Sequence, residues 1–82
     1  MSDQTVFDVL CDAIRKGAGS PDVAITRQTV AADVPGWDSL AHTRIILSAE
    51  AELGIQVDLL MTHQADTVGE LEQLFLASVK KH

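Results

Sequence analysis

Tyrosine is absent from this chain of 82 residues, and its aromatic side chains are limited to two phenylalanines and one tryptophan. A core must therefore be built mainly from Leu, Ile, Val and Ala, which suits packed helices. A single cysteine, Cys11, excludes an internal disulfide. One cysteine and three scattered histidines, His42, His63 and His82, give no metal-ligand spacing, so no metal site is expected. Basic residues are also scarce: six Lys and Arg stand against twelve Asp and Glu, a formal charge of −6. Phosphate backbones and anionic lipids reward cationic proteins, so neither nucleic acid nor a membrane is the expected partner. That charge fits docking onto basic patches of other proteins, and it equally fits plain solubility. No long apolar run and no signal-like leader occur, and a cytoplasmic location is expected.

The length fits one domain over residues 1–82, and 46% apolar residues suffice for a small core. In 5–16, Val6, Phe7, Leu10, Cys11 and Ile14 recur at three- and four-residue steps, the spacing of an amphipathic helix. Asp3 or Thr5 is its expected cap, and Gly17, Gly19 and Ser20-Pro21 its expected end. Cys11 reads as a core residue, since Asp12 beside it has the wrong sign to activate a thiol. The connection over 18–37 is long for so small a domain, with Val23, Ile25 and Val30 as its anchors and "VAIT" as a strand without an obvious partner.

Residues 39–53 form the strongest helical pattern. Leu40, Ile45, Ile46, Ala49 and Leu53 make its apolar face, His42, Arg44, Glu50 and Glu52 are expected toward water, and Gly54 stops it. A crossing segment over 55–60 precedes a short helical turn around 59–63. The last helix opens at Asp66 or Thr67 with Glu70 in a capping box, and Lys80 and Lys81 complement its dipole. Three sizeable helices, one short one and a long first loop predict an all-α fold, a small four-helix bundle.

The segment "PGWDSLAH", 35–42, places the only tryptophan, an acid and a hydroxyl where the second long helix begins. Free amides and a positive dipole end at that point accommodate a phosphate carried on a side chain. Asp38 and Ser39 are also common helix caps, so Ser39 either caps the helix or carries a group. Asp38 can help hold a divalent metal brought by a modifying enzyme, and Leu40 can offer an apolar contact to a visitor.

The whole pattern resembles the acyl carrier protein family. Gly36, Trp37, Asp38, Ser39 and Leu40 match its Asp-Ser-Leu motif, and "ELGI" and "TVGEL" match the end of the second helix and the start of the last. The resemblance implies an acyl-carrier-type bundle whose Ser39 receives 4′-phosphopantetheine from coenzyme A through a phosphopantetheinyl transferase. It further implies an acyl or aminoacyl thioester on the arm, presented to acyl-loading or adenylating and acyl-transferring enzymes, by a monomer that is no enzyme itself. Trp37, Ala41, His42 and Arg44 would then meet those partners, which read mainly the second helix.

Carriers of fatty-acid synthesis usually show acids just after this motif, where this chain has Ala41, His42, Thr43 and Arg44. A freestanding carrier of a specialised pathway resembles it more closely, one of polyketide or fatty-acid-like biosynthesis or one that loads aminoacyl or hydroxyacyl building blocks. Between the helices, Ile46, Ala49, Val57, Val68 and Leu71 read first as an ordinary closed core and second as a small apolar cleft for cargo. Two competing readings are an unmodified helical interaction module and a small hydrolase using Ser39. The hydrolase lacks an adjacent base and an orienting acid, which a nucleophilic serine needs.

Overall fold

The computed structural model describes the backbone of residues 3–80 and the side chains of residues 4–79. Four α-helices follow one another: α1 Asp3–Ala18, α2 Ser39–Leu53, α3 Leu59–Gln64 and α4 Val68–Lys80, with a short 3-10 turn at Ala31–Asp33 in the long connection. No strand occurs among the described residues, and "VAIT" runs as irregular chain. Helix α1 packs chiefly on α2 and then on α4, while α3 bridges α2 and α4. The Cα radius of gyration is 11.3 Å, close to the roughly 12 Å expected of a folded chain of this length.

The core follows the periodicity. Val6, Leu10 and Ile14 of α1 meet Ile45, Ile46 and Ala49 of α2 and Val68, Leu71 and Phe75 of α4. Cys11 is buried beside them, and burial pushes its thiol above the ordinary value, as befits an inert core residue. Several boundaries differ from expectation. Gly17 does not end α1. It lies inside the helix, where a side chain would press on Ile45, so it permits close approach of α1 and α2. Thr5 stands within α1 rather than before it, and residue 2, the capping position, lies outside the described residues, as do Lys81, His82 and the side chains of Asp3 and Lys80. Leu40, expected on the apolar face of α2, is 73% exposed.

Hydrogen bonds hold the long connection against the helices. Arg15 Nε donates to the Val23 carbonyl at 3.0 Å. The first amides of α4, Val68 and Gly69, donate to the Thr29 and Arg27 carbonyls, both at 2.9 Å. These loop carbonyls thereby satisfy donors that a helix start leaves open. Arg27 also grips the buried Glu72 through two bonds of 2.8 and 3.0 Å and lies over the Phe7 ring at 4.3 Å. Val23 and Ile25 pack on the core as expected, whereas Val30 is only half-buried and the deeper anchor is Val34. Thr67 caps α4: the Glu70 amide donates to its hydroxyl, and Glu70 accepts in return from the amides of Asp66 and Thr67.

Candidate functional site

Helix α2 starts after a turn that only glycine fits. Gly36 has φ +87°, and a Cβ there would stand 2.1 Å from the Ala18 carbonyl oxygen. The turn is tied back by the Ser20 hydroxyl, which donates to the Pro35 carbonyl at 2.6 Å. This fixes where Trp37, Asp38 and Ser39 emerge relative to the end of α1.

One hydrogen bond shows which residue caps the helix. Asp38 is the cap: its backbone is extended, and its Oδ1 accepts from the Ala41 amide at 2.8 Å. Ser39 is the first residue of the helix, exposed, and among the described residues its hydroxyl takes no hydrogen-bond partner. The helix therefore does not need Ser39 for its start, and the hydroxyl is left to solvent at the positive dipole end. Leu40, also exposed, stands next to it.

Two expected contact residues turn inward. Ala41 is fully buried, because the helix turns it onto the core. His42, expected to face water, is 8% exposed and forms a link across the bundle. Trp37 Nε1 donates to His42 Nδ1 at 3.1 Å. The imidazole proton therefore sits on Nε2, which donates to Thr62 Oγ1 at 2.9 Å. The Thr62 hydroxyl then donates to the Leu59 carbonyl at 2.6 Å. The Trp37 and His42 rings are stacked with centroids 6.0 Å apart, and His63 lies 4.3 Å beyond His42. Burial, and secondarily the charge of His63, hold His42 below its ordinary pKa. Both of its nitrogens are engaged, so His42 cannot serve Ser39 as a base. Arg44 stays exposed and reaches within 3.5 Å of the Gly17 carbonyl, where its cation meets the negative end of α1.

A cleft of about 290 Å³ opens beside Ser39, lined among others by Trp37, His42, Thr62, His63 and Asp66. Sequence reasoning missed this cleft. Thr62 and His63 come from α3, twenty or more residues away, and no local signal announces their meeting with Trp37 and His42. The apolar cleft considered between the helices is instead packed core: Ile46, Ala49, Val68 and Leu71 are at most 2% exposed, and only Val57 is half-buried.

Fold and site thus define a small all-helical bundle with an unengaged serine hydroxyl at a helix start. Compared with known protein families, curated proteins and solved structures, the chain matches none.

Proposed function

We propose that this protein is an acyl carrier: Ser39 accepts 4′-phosphopantetheine, and the chain presents an acyl or aminoacyl group to partner enzymes. The observation that carries this reading is the division of labour at α2, where Asp38 caps and Ser39 is free. The residues suit the group. An exposed primary hydroxyl at a helix N-terminus receives a phosphodiester beside open amides and a favourable dipole. In the modification, Ser39 Oγ attacks the phosphorus of coenzyme A that bears the pantetheine. The phosphoanhydride bond breaks, adenosine 3′,5′-bisphosphate leaves, and the hydroxyl proton passes to a base of the transferase. The arm supplies a thiol for thioester chemistry. The chain itself holds the attachment point rigid through the Gly36 turn and the Trp37–His42–Thr62 link.

Labelling by a fluorescent coenzyme A analogue and a permissive phosphopantetheinyl transferase tests the reading. Wild type should be labelled on the peptide containing Ser39, and Ser39→Ala should stay dark. An unlabelled but folded wild type contradicts it.

The unmodified interaction module draws on a different observation. Leu40, Leu47, Leu60 and Met61 are 73, 58, 74 and 46% exposed, more apolar surface on α2 and α3 than scattered single residues require. A carrier that docks partners through these helices uses the same surface, so the patch does not by itself favour the module.

A further inference from the structure

We propose that the Trp37–His42–Thr62 link is an acid-released latch on α3: when His42 takes up a second proton, the segment 58–65 lifts from α2 while the core of α1, α2 and α4 stays folded. This rests on how α3 is held and not on the carrier reading.

The latch is fully specified while His42 is neutral. Nδ1 accepts from the Trp37 indole at 3.1 Å, and Nε2 donates to the Thr62 hydroxyl at 2.9 Å. That hydroxyl spends its own proton on the Leu59 carbonyl at 2.6 Å. A second proton on the ring has one place to go, Nδ1, and there it faces the indole N–H, donor against donor. The charge also arises on a residue that is 8% exposed, where a cation without water or new partners is costly. Burial accordingly holds the ring below its ordinary pKa.

The groups around the ring do not remove that cost. The cleft over it is lined by Ala31 from the 3-10 turn, Asp38 from the start of α2, His63 from α3 and Asp66 from the approach to α4, and by no lysine or arginine. Among the described residues, neither carboxylate bonds to either imidazole. His63 faces His42 with ring centroids 4.3 Å apart, so a charge on α3 opposes a charge on α2.

Of the two partners, α3 is the one that can give way. Trp37 follows the fixed Gly36 turn and packs on the core. Helix α3 buries a single side chain, Thr62, and that is the residue His42 holds. Lifting it therefore gives up little apolar burial, the mark of a segment that opens locally. Ties on both sides set the hinges. The Val57 amide donates to the Glu50 carboxylate at 2.8 Å, and Glu70 accepts from the amides of Asp66 and Thr67. The same movement takes Thr62 and His63 out of the wall beside Ser39, so acid changes the surroundings of that hydroxyl while the Asp38 cap stays.

Amide hydrogen exchange of the full chain, corrected for the intrinsic rate, tests the latch between about pH 7.5 and 5, either side of the ordinary histidine value near 6.5. Protection of the 62–64 amides should fall by about tenfold per pH unit until the His42 ring is saturated, the slope of one proton taken up on opening. The amides of 45–49 and 71–76 should keep their protection. His42→Gln should make α3 protection independent of pH, whereas His63→Gln should keep the transition. Trp37→Phe removes the opposing donor and should move the midpoint to higher pH; if His42→Gln does not fold, this shift decides. A ring that titrates while α3 stays protected overturns the proposal. So does loss of protection in α3 and core together, a transition that persists in His42→Gln, or a midpoint unmoved in Trp37→Phe. No readout involves modification of Ser39, so each outcome leaves the carrier reading to its own test.

Discussion

Asp38 and Ser39 are adjacent and chemically similar as helix starters, yet the fold separates their roles. Because Asp38 supplies the cap bond, Asp38→Ala should lower stability by about 1 kcal/mol, read as a shift of the urea midpoint with an unchanged slope. Ser39→Ala should leave that midpoint within about 0.5 kcal/mol of wild type, as for a surface change. His42 makes a pH prediction. Its pKa lies below 6.5 in the folded protein, so the unfolded chain binds its proton first as pH falls. The stability contribution is therefore complete above the unfolded value and is lost as pH falls through the folded one. Protonation at Nδ1 also sets donor against donor at Trp37. His63, Asp38 and Asp66 share the cleft with this ring, so an NMR titration must follow the imidazole of His42 itself. Its fitted pKa should fall below 6.5, and tryptophan emission should shift to the red over the same pH range. The sequence shows a histidine three residues past a serine, and nothing local says that it turns inward. Its burial depends on Trp37 and on Thr62, which only the folded chain brings within reach.

At the scale of elements, the helices were legible and their ties were not. Three- and four-residue apolar steps predicted α1, α2 and α4, and the Thr67–Glu70 capping box was readable because it is local. Arg27 and Glu72 are 45 residues apart in sequence, a separation no pattern reveals, and their pairing explains how the long connection is held. Glu72 is 3% exposed at its side chain while Arg27 is 45% exposed. Arg27→Ala should cost about 2 kcal/mol, between the value of a surface pair and that of a buried one, and Glu72→Gln with Arg27→Ala should recover part of it. Gly36→Ala should be worse for function than for folding. The added methyl meets the Ala18 carbonyl, the turn must shift, and modification of Ser39 should slow while helical content by circular dichroism is retained.

For the whole molecule, the charge of −6 governs encounter more than affinity. The first turn of α2 holds no acid, so under the carrier proposal attraction to a cationic transferase would come from the field of the entire chain. Salt screens such a field over a Debye length of roughly 8–10 Å at physiological strength. The modification rate at low substrate should therefore fall as salt rises, and neutralising Arg44 should raise it. The all-helical class was readable because it rests on local pattern, and the exposure of Ser39 at the start of α2 follows from an equally local motif. The polar cleft was not, because it is assembled from α2, α3 and the start of α4. The most direct test of the carrier claim is the intact mass of the folded protein after incubation with coenzyme A and a phosphopantetheinyl transferase, with Ser39→Ala beside it. A gain of one phosphopantetheine in wild type alone is the predicted result. No gain, or an equal gain in both proteins, would contradict it.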